Sequence, residues 1–149
     1  MIASLLLALT MSGPSVQRLD ELRTELRPLL TALAIVESGN KDDVPDGDGG
    51  KAIGRYQIWS VYWQDATEYA PAIGGAYKAV KDKDYAERVI VAYFLRYGKD
   101  AIEARDFEKL ARIHNGGPKG YKKRATDKYW AKVKTHLTPC PFCGRIESL

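Results

Sequence analysis

The chain has 149 residues, of which 45% are hydrophobic, 28% are charged and 10% are aromatic, and its net charge is +4. A single domain of this length buries roughly 68–70% of the surface that its unfolded chain exposes, so it can build a hydrophobic core without disulfides or metals. This composition excludes a disordered tail, a collagen-like fibre and a disulfide-dense miniprotein, and the length leaves no room for two full domains.

The N-terminal segment is apolar over residues 2–11 and continues as Ser-Gly-Pro. A secretory signal has an apolar part of roughly 7–15 residues, which fits, although no Lys or Arg precedes it here. A bilayer span needs ~20 residues, so no stable membrane span is expected. Residues 1–14 are therefore interpreted as the signal peptide of a secreted or periplasmic protein, or alternatively as an N-terminal helix packed on the domain.

Apolar residues then recur at steps of three and four between Leu19 and Val36, which predicts an amphipathic helix. Pro28 lies inside this run and is expected to kink it or to begin a second helix at its first position. Gly39 is a suitable left-handed cap, so Glu37 is placed at the end of a buried helix. There, desolvation and the helix dipole both raise the pKa of a carboxyl group; the alternative is an exposed glutamate without a role.

The next segment, residues 42–54, contains five Gly and Pro residues and four aspartates, which predicts a loop or small hairpin. Asp46 and Asp48 alternate with glycines, as in a calcium-binding loop. That template fails at its first and twelfth positions, which would be Val44 and Arg55. No metal and no other cofactor is expected.

Four more helices are predicted from apolar residues at helical spacing. They cover residues 58–69, 86–97, 107–113 and 125–136. Most of their aromatic side chains are interpreted as core. The predicted fold class is mainly α, a bundle around the helix that carries Glu37, with a small β-hairpin or loop near residues 44–56.

Charge is concentrated in two segments of opposite sign. Residues 37–48 carry five acids and one lysine, whereas residues 119–134 carry seven basic residues and one aspartate. The pattern indicates either a polar site beside a surface that attracts anions, or two solvated faces.

The C-terminal segment, residues 138–149, contains both cysteines of the chain, Cys140 and Cys143, in a C-x-x-C motif. A closed zinc site needs four ligands and no second pair exists, while no βαβ pattern supports a thioredoxin-like role. This segment is interpreted as a tail whose cysteines are free or form a small disulfide loop. Half of an intermolecular metal site and redox catalysis are the less favoured interpretations.

Three motifs now stand in a fixed order: Val-Glu-Ser-Gly at residues 36–39, Gly-Arg-Tyr-Gln-Ile at residues 54–58, and Arg-Ile-His-Asn-Gly-Gly-Pro-Lys-Gly at residues 112–120. With the pairs Tyr62-Trp63 and Tyr129-Trp130, this order resembles the lysozyme-like superfamily, in particular invertebrate-type lysozymes and related bacterial and phage peptidoglycan hydrolases. Soluble lytic transglycosylases are more loosely similar. The resemblance implies a lysozyme-like α+β catalytic domain over residues 15–137.

The resemblance also implies a chemistry. Glu37 is expected to be the general acid of a glycoside hydrolase acting on the amino-sugar strands of peptidoglycan, with Asp48 as the second carboxylate. Asp48 lies eleven residues after Glu37 and Asp46 nine residues after it, so Asp46 is the second candidate for this role. The motifs are also compatible with a lytic transglycosylase, in which Glu37 is the sole acid and base, and with a non-catalytic wall-glycan-binding module.

Five further residues are expected to bind substrate. Tyr56 and Gln57 would line the sugar groove, with the Tyr56 ring stacked on a sugar. His114, Asn115 and Gly116 would lie on the opposite wall, although His114 is as readily explained as a structural histidine. The basic segment would steer a monomer to anionic wall polymers rather than to nucleic acid.

One departure concerns cysteines. Invertebrate-type lysozymes have Cys after Glu-Ser-Gly and after Gly-Gly-Pro-x-Gly, where this chain has Asn40 and Tyr121. Stability is therefore expected to come from packing, and the chain to belong to a bacterial or phage-like branch.

Overall fold

The computed structural model describes residues 13–137. The expected signal segment, apart from its last two residues, and the two cysteines lie outside the described residues. Within the described part, seven α-helices accompany one two-stranded antiparallel sheet. The helices are α1 (Val16–Glu25), α2 (Arg27–Ser38), α3 (Ser60–Tyr69), α4 (Lys83–Tyr97), α5 (Lys99–Glu103), α6 (Phe107–Gly116) and α7 (Asp127–Thr135), and the strands are β1 (Ala52–Ile53) and β2 (Ile58–Trp59). The predicted fold class, mainly α with one small hairpin, is confirmed.

The first long apolar run forms two helices rather than one kinked helix. α1 begins where the Ser15 hydroxyl accepts a hydrogen bond from the backbone N–H of Arg18, and α2 begins two residues after α1 ends. Pro28 lies in the first turn of α2, where its missing N–H costs no helical hydrogen bond. Gly39, with φ of 65°, ends α2 in the left-handed conformation, so Glu37 lies in the last turn as predicted.

The small sheet replaces the first part of a predicted helix. Ile58 and Trp59 were expected to begin a helix, but they pair with Ile53 and Ala52 as β2, and α3 begins only at Ser60. Their helical spacing therefore gave the wrong local structure, because pairing across the turn satisfies their backbone groups instead.

The core lies around α4, which packs against α1, α3, α5 and α6. Every residue of this helix from Ala86 to Phe94 is buried except Arg88, as a helix surrounded by others requires. One member of this buried stretch is the charged residue Glu87. No helix within residues 13–137 is both long and apolar enough to cross a membrane.

Candidate active site

A cleft of about 650 Å³ opens where the end of α2, the hairpin, α3 and the end of α6 meet. Six residues that the sequence analysis selected line this cleft. They are Glu37, Asp48, Gln57, His114, Asn115 and Gly116. The fold therefore brings together three motifs that lie far apart in the sequence.

Glu37 presents a largely buried carboxyl group to this cleft, since 19% of its side chain is exposed. Its Oε1 atom accepts a hydrogen bond of 2.7 Å from the Tyr129 hydroxyl. Burial raises the pKa of Glu37 above its ordinary value, and the hydrogen bond from Tyr129 offsets part of this rise. A carboxyl group that holds its proton toward neutral pH can act as a general acid.

His114 lies beside this carboxyl group, with its Nε2 atom 3.7 Å from Oε1 of Glu37. Burial lowers the pKa of His114 to about 4, while a hydrogen bond to the backbone of Tyr56 acts in the opposite direction. The ring is therefore neutral at pH 7, and it brings no positive charge that would favour ionisation of Glu37. His114 is thus both a satisfied buried histidine and part of the cleft wall.

Two tyrosines complete the surroundings of the Glu37–His114 pair. The Tyr62 hydroxyl is 3.1 Å from Nδ1 of His114, and the Tyr62 ring stacks on Tyr93 with centroids 3.6 Å apart. Tyr129, in α7, contacts Glu37 although the two residues are 92 positions apart in the sequence. The sequence analysis treated both tyrosines as part of aromatic pairs without a chemical role. Their positions in the pairs Tyr62-Trp63 and Tyr129-Trp130, which support the resemblance, could have identified them as site residues.

Asp48 begins the 3-10 turn Asp48–Gly50, which directly precedes β1. Its backbone φ is 51°, a conformation that side-chain-bearing residues seldom adopt except Asn and Asp. Asp48 lines the cleft, whereas the Asp46 carboxylate lies 3.1 Å from Nζ of Lys81 and is not part of the cleft lining.

Gln57 and Tyr56 are neighbours in sequence but face different surroundings. Gln57 lines the cleft, also with a positive φ of 49°, and its side-chain amide donates to the carbonyl of Gly54 at 3.0 Å. Tyr56 is 1% exposed, and its hydroxyl donates to Oε1 of Glu87 at 2.8 Å. The expected stacking of Tyr56 on a sugar is therefore wrong, because the ring is enclosed in the core.

Several cleft residues were not selected from the sequence. Trp59 lines the cleft from β2, Val61 and Asp65 line it from α3, and Lys123 lines it from the segment after α6. Asp65 accepts a hydrogen bond of 3.0 Å from the Tyr97 hydroxyl. Within residues 13–137, no group of three or more His, Cys, Asp or Glu side chains could hold a metal ion.

Comparisons with known proteins agree on one family. The model of the Destabilase family matches residues 28–136. Invertebrate-type lysozyme 6 of Caenorhabditis elegans is 35% identical over 103 residues, which are 64% of this chain and 72% of that protein. A lysozyme of Magallana gigas is 37% identical over 83 residues, 55% of this chain and 58% of that protein.

A solved structure gives the same result for the fold. The lysozyme of Tapes japonica superposes with a TM-score of 0.60 at 29% identity, covering 79% of this chain and 92% of that one. The family match extends over most of the described residues and includes all three motifs of the cleft. The chain therefore belongs to the Destabilase family, the family of the invertebrate-type lysozymes.

Proposed function

We propose that this protein is a glycoside hydrolase of the lysozyme type, which cleaves the amino-sugar strands of peptidoglycan with Glu37 as the general acid. The observation that carries the proposal is the Glu37 carboxyl group, buried in a cleft wall beside a neutral His114. Relatives that are named lysozymes support the same reaction class.

The proposed reaction begins with proton transfer from Glu37 to the glycosidic oxygen as the bond to the anomeric carbon breaks. The Tyr129 hydroxyl then donates to the carboxylate that remains, and so stabilises its negative charge. Since burial favours the neutral acid and this hydrogen bond favours the anion, the two effects together keep Glu37 able to lose and regain a proton.

Asp48 is the proposed second carboxylate, which stabilises or captures the oxocarbenium-like centre or activates water. Its place in the cleft lining supports this role over Asp46, which pairs with Lys81. The competing mechanism is that of a lytic transglycosylase, in which Glu37 acts alone and the N-acetyl group of the substrate replaces Asp48.

Mass spectrometry of digested peptidoglycan tests these assignments with the wild type and three variants. We expect Glu37→Gln and Asp48→Asn to abolish release of fragments with reducing ends, and Asp46→Asn to retain it. Asn tolerates the positive φ of position 48, so this variant changes the charge and leaves the turn intact. Fragments with 1,6-anhydro ends, together with an active Asp48→Asn variant, would establish the transglycosylase instead. A wild type that binds wall glycan without releasing fragments would be a binding module.

The proposal includes a way for the protein to approach its substrate. All seven basic side chains of residues 119–134 are exposed, and Lys123 among them lines the cleft. We propose that this surface attracts anionic wall polymers to a secreted or periplasmic monomer whose catalytic unit is residues 15–137. Binding to isolated walls should weaken as salt rises, because exposed charges are screened. Salt-independent binding would contradict this part of the proposal.

A further inference from the structure

The side chain of Gln57 contacts the chain segment that leads to Asp48. Its Nε2 atom donates to the carbonyl oxygen of Gly54 at 3.0 Å and lies 3.5 Å from the carbonyl oxygen of Pro45. Its Oε1 atom lies so close to Gly47 that a Cβ atom added to this glycine would collide with it. The amide of Gln57 therefore lies between its own turn and the residues directly before Asp48.

The position of the Asp48 carboxylate depends on the backbone of its turn. Asp48, Gly49 and Gly50 all have positive φ angles, and two consecutive glycines leave a backbone free to adopt other conformations unless it is held. Within residues 13–137, no side chain forms an ion pair or a hydrogen bond with the Asp48 carboxylate. Contacts with the neighbouring backbone must therefore keep this carboxylate in the cleft.

Gly47, the residue before Asp48, is held from two sides. Its N–H donates to the carbonyl oxygen of Ala52 at 2.8 Å, and its carbonyl oxygen accepts from the N–H of Ala52 at 3.1 Å. On the other side lies the amide of Gln57. The φ of Gly47 is −85°, a value that any residue adopts. Glycine is thus required here by the contact with Gln57 rather than by the backbone conformation.

The turn that presents Gln57 is itself firmly held. The backbone N–H of Gln57 donates to the carbonyl oxygen of Gly54 at 3.0 Å, and the hydroxyl of the neighbouring Tyr56 donates to the buried Glu87. A side chain that begins on a fixed turn can hold a less constrained one in place. We propose that Gln57 is a positioning residue, which holds Gly47 and so keeps the Asp48 carboxylate in the cleft, rather than a residue that binds the sugar. This inference rests on the proposed function, in which Asp48 is the second carboxylate.

Steady-state hydrolysis of soluble peptidoglycan fragments by Gln57→Asn tests this role. Asn tolerates a positive φ, and its side chain is one methylene shorter, so the variant removes the contact with Gly47 and leaves the turn intact. We expect kcat to fall by about 10–100-fold with KM little changed, since a misplacement of ~1 Å can cost about 10²-fold in rate. Loss of a sugar contact would instead raise KM. A raised KM with an unchanged kcat would overturn the proposal.

Gly47→Ala tests the same contact from the other side. The added methyl group should displace the Gln57 side chain and lower kcat, although Gly47 itself does not line the cleft. In the Gln57→Asn background, where the contact is already lost, Gly47→Ala should change kcat by less than about twofold. Equal losses in both backgrounds would show that the two residues act independently, and would overturn the proposal. Gln17→Asn, at an exposed glutamine that donates to Glu21, is the control and should have the wild-type kcat.

Thermal melting of each variant separates misplacement of Asp48 from unfolding, and activity is measured below each melting temperature. If Gln57→Asn does not fold, the kcat and KM of Gly47→Ala decide the matter by the same criteria. Failure of the proposed function would give a different result: the wild type would release no fragments, or Asp48→Asn would remain active. Failure of this inference alone would leave the wild type active and Asp48→Asn inactive, and would give Gln57→Asn the kcat of the wild type.

Discussion

Two buried glutamates of this protein, Glu37 and Glu87, have opposite electrostatic surroundings. Glu87 is inaccessible and accepts hydrogen bonds from two guanidinium groups, those of Arg23 and Arg27, and from the Tyr56 hydroxyl. These donors outweigh burial and lower its pKa to about 2. Glu37 has one neutral donor and a neutral imidazole nearby, so burial prevails and its pKa rises. The charge of the partners, rather than burial, decides what a buried carboxyl group does.

The two glutamates therefore have different roles: Glu87 stabilises the fold, and Glu37 is the proposed acid. Glu87 joins α1, α2, the hairpin turn and α4 through one carboxylate, and the contact with Tyr56 fixes the turn that also carries Gln57. Glu37 lacks such cationic partners among the described residues, and this keeps its proton available. The same residue type thus serves as a permanent anion in the core and as a proposed acid in the cleft.

The largest expected effect comes from removing the proposed acid. Glu37→Gln should lower the rate of wall clearing by about 10²–10⁴-fold, the contribution of a positioned general acid. Because the folded state disfavours the Glu37 anion, the variant should also melt at a higher temperature than the wild type at pH 7. Turbidity and thermal melting check the two outcomes. Retained clearing would remove the acid role from Glu37.

The same substitution at Glu87 should lower the stability of the protein and affect its activity far less. Glu87→Gln removes the carboxylate that joins Arg23 and Arg27, while Arg23 keeps its contacts with Asp20 and Asp84, so the loss of stability should reach at most about 3–5 kcal/mol, the cost of a broken buried pair. Urea unfolding measures this loss, and clearing below the melting temperature should be affected far less than in Glu37→Gln. Glu21→Gln, at an exposed pair with Arg18, is the control and should change the stability little. An equally stable Glu87→Gln protein would show that the network does not stabilise the fold.

A third expectation concerns acid unfolding. The folded pKa of Glu87 is about 2 and its ordinary value is 4.5, so its stabilising contribution is present above pH 4.5 and is lost as the pH falls toward 2. Wild-type stability, measured by urea unfolding across this range, should therefore decline more steeply than that of Glu87→Gln. Parallel curves for the two proteins would contradict the low pKa.

The smallest expected effect is a change in the pH profile. Tyr129→Phe removes the hydrogen bond that lowers the pKa of Glu37, so that pKa should rise further. The acid would then stay protonated to higher pH, and the alkaline limb of kcat/KM should move upward. Tyr97→Phe, at a hydroxyl bound to Asp65, is the control and should leave that limb in place. A downward shift in Tyr129→Phe would contradict the proposed electrostatics of the cleft.

Much of the local structure could be predicted because its causes are local. The leucine spacing, Pro28 and Gly39 predicted helical structure that ends beside Glu37, and the structure confirms this placement. Motif order also predicted the family. The direction of the Glu37 pKa shift followed as well, since a carboxyl group after an apolar helix lacks solvent.

Other features depended on contacts between distant segments. The spacing of Ile58 and Trp59 suited a helix, but pairing with β1 made them a strand and left the indole at the cleft rim. Tyr56 seemed suited to a sugar until the position of Glu87, 31 residues away in sequence, explained its hydroxyl. No local pattern shows such pairings, because each requires two segments to be placed together by the core.

The sequence by itself determined the helix that ends at Glu37, the three motifs and the family, because periodicity, caps and motif order act over a few residues. Only the tertiary structure decided that Tyr129 and His114 surround that glutamate, and that Asp48 rather than Asp46 lines the cleft. The physical reason is that electrostatic surroundings depend on distance in space. The helix end marks Glu37 in the sequence, but only packing places arginines around Glu87 and a tyrosine hydroxyl beside Glu37.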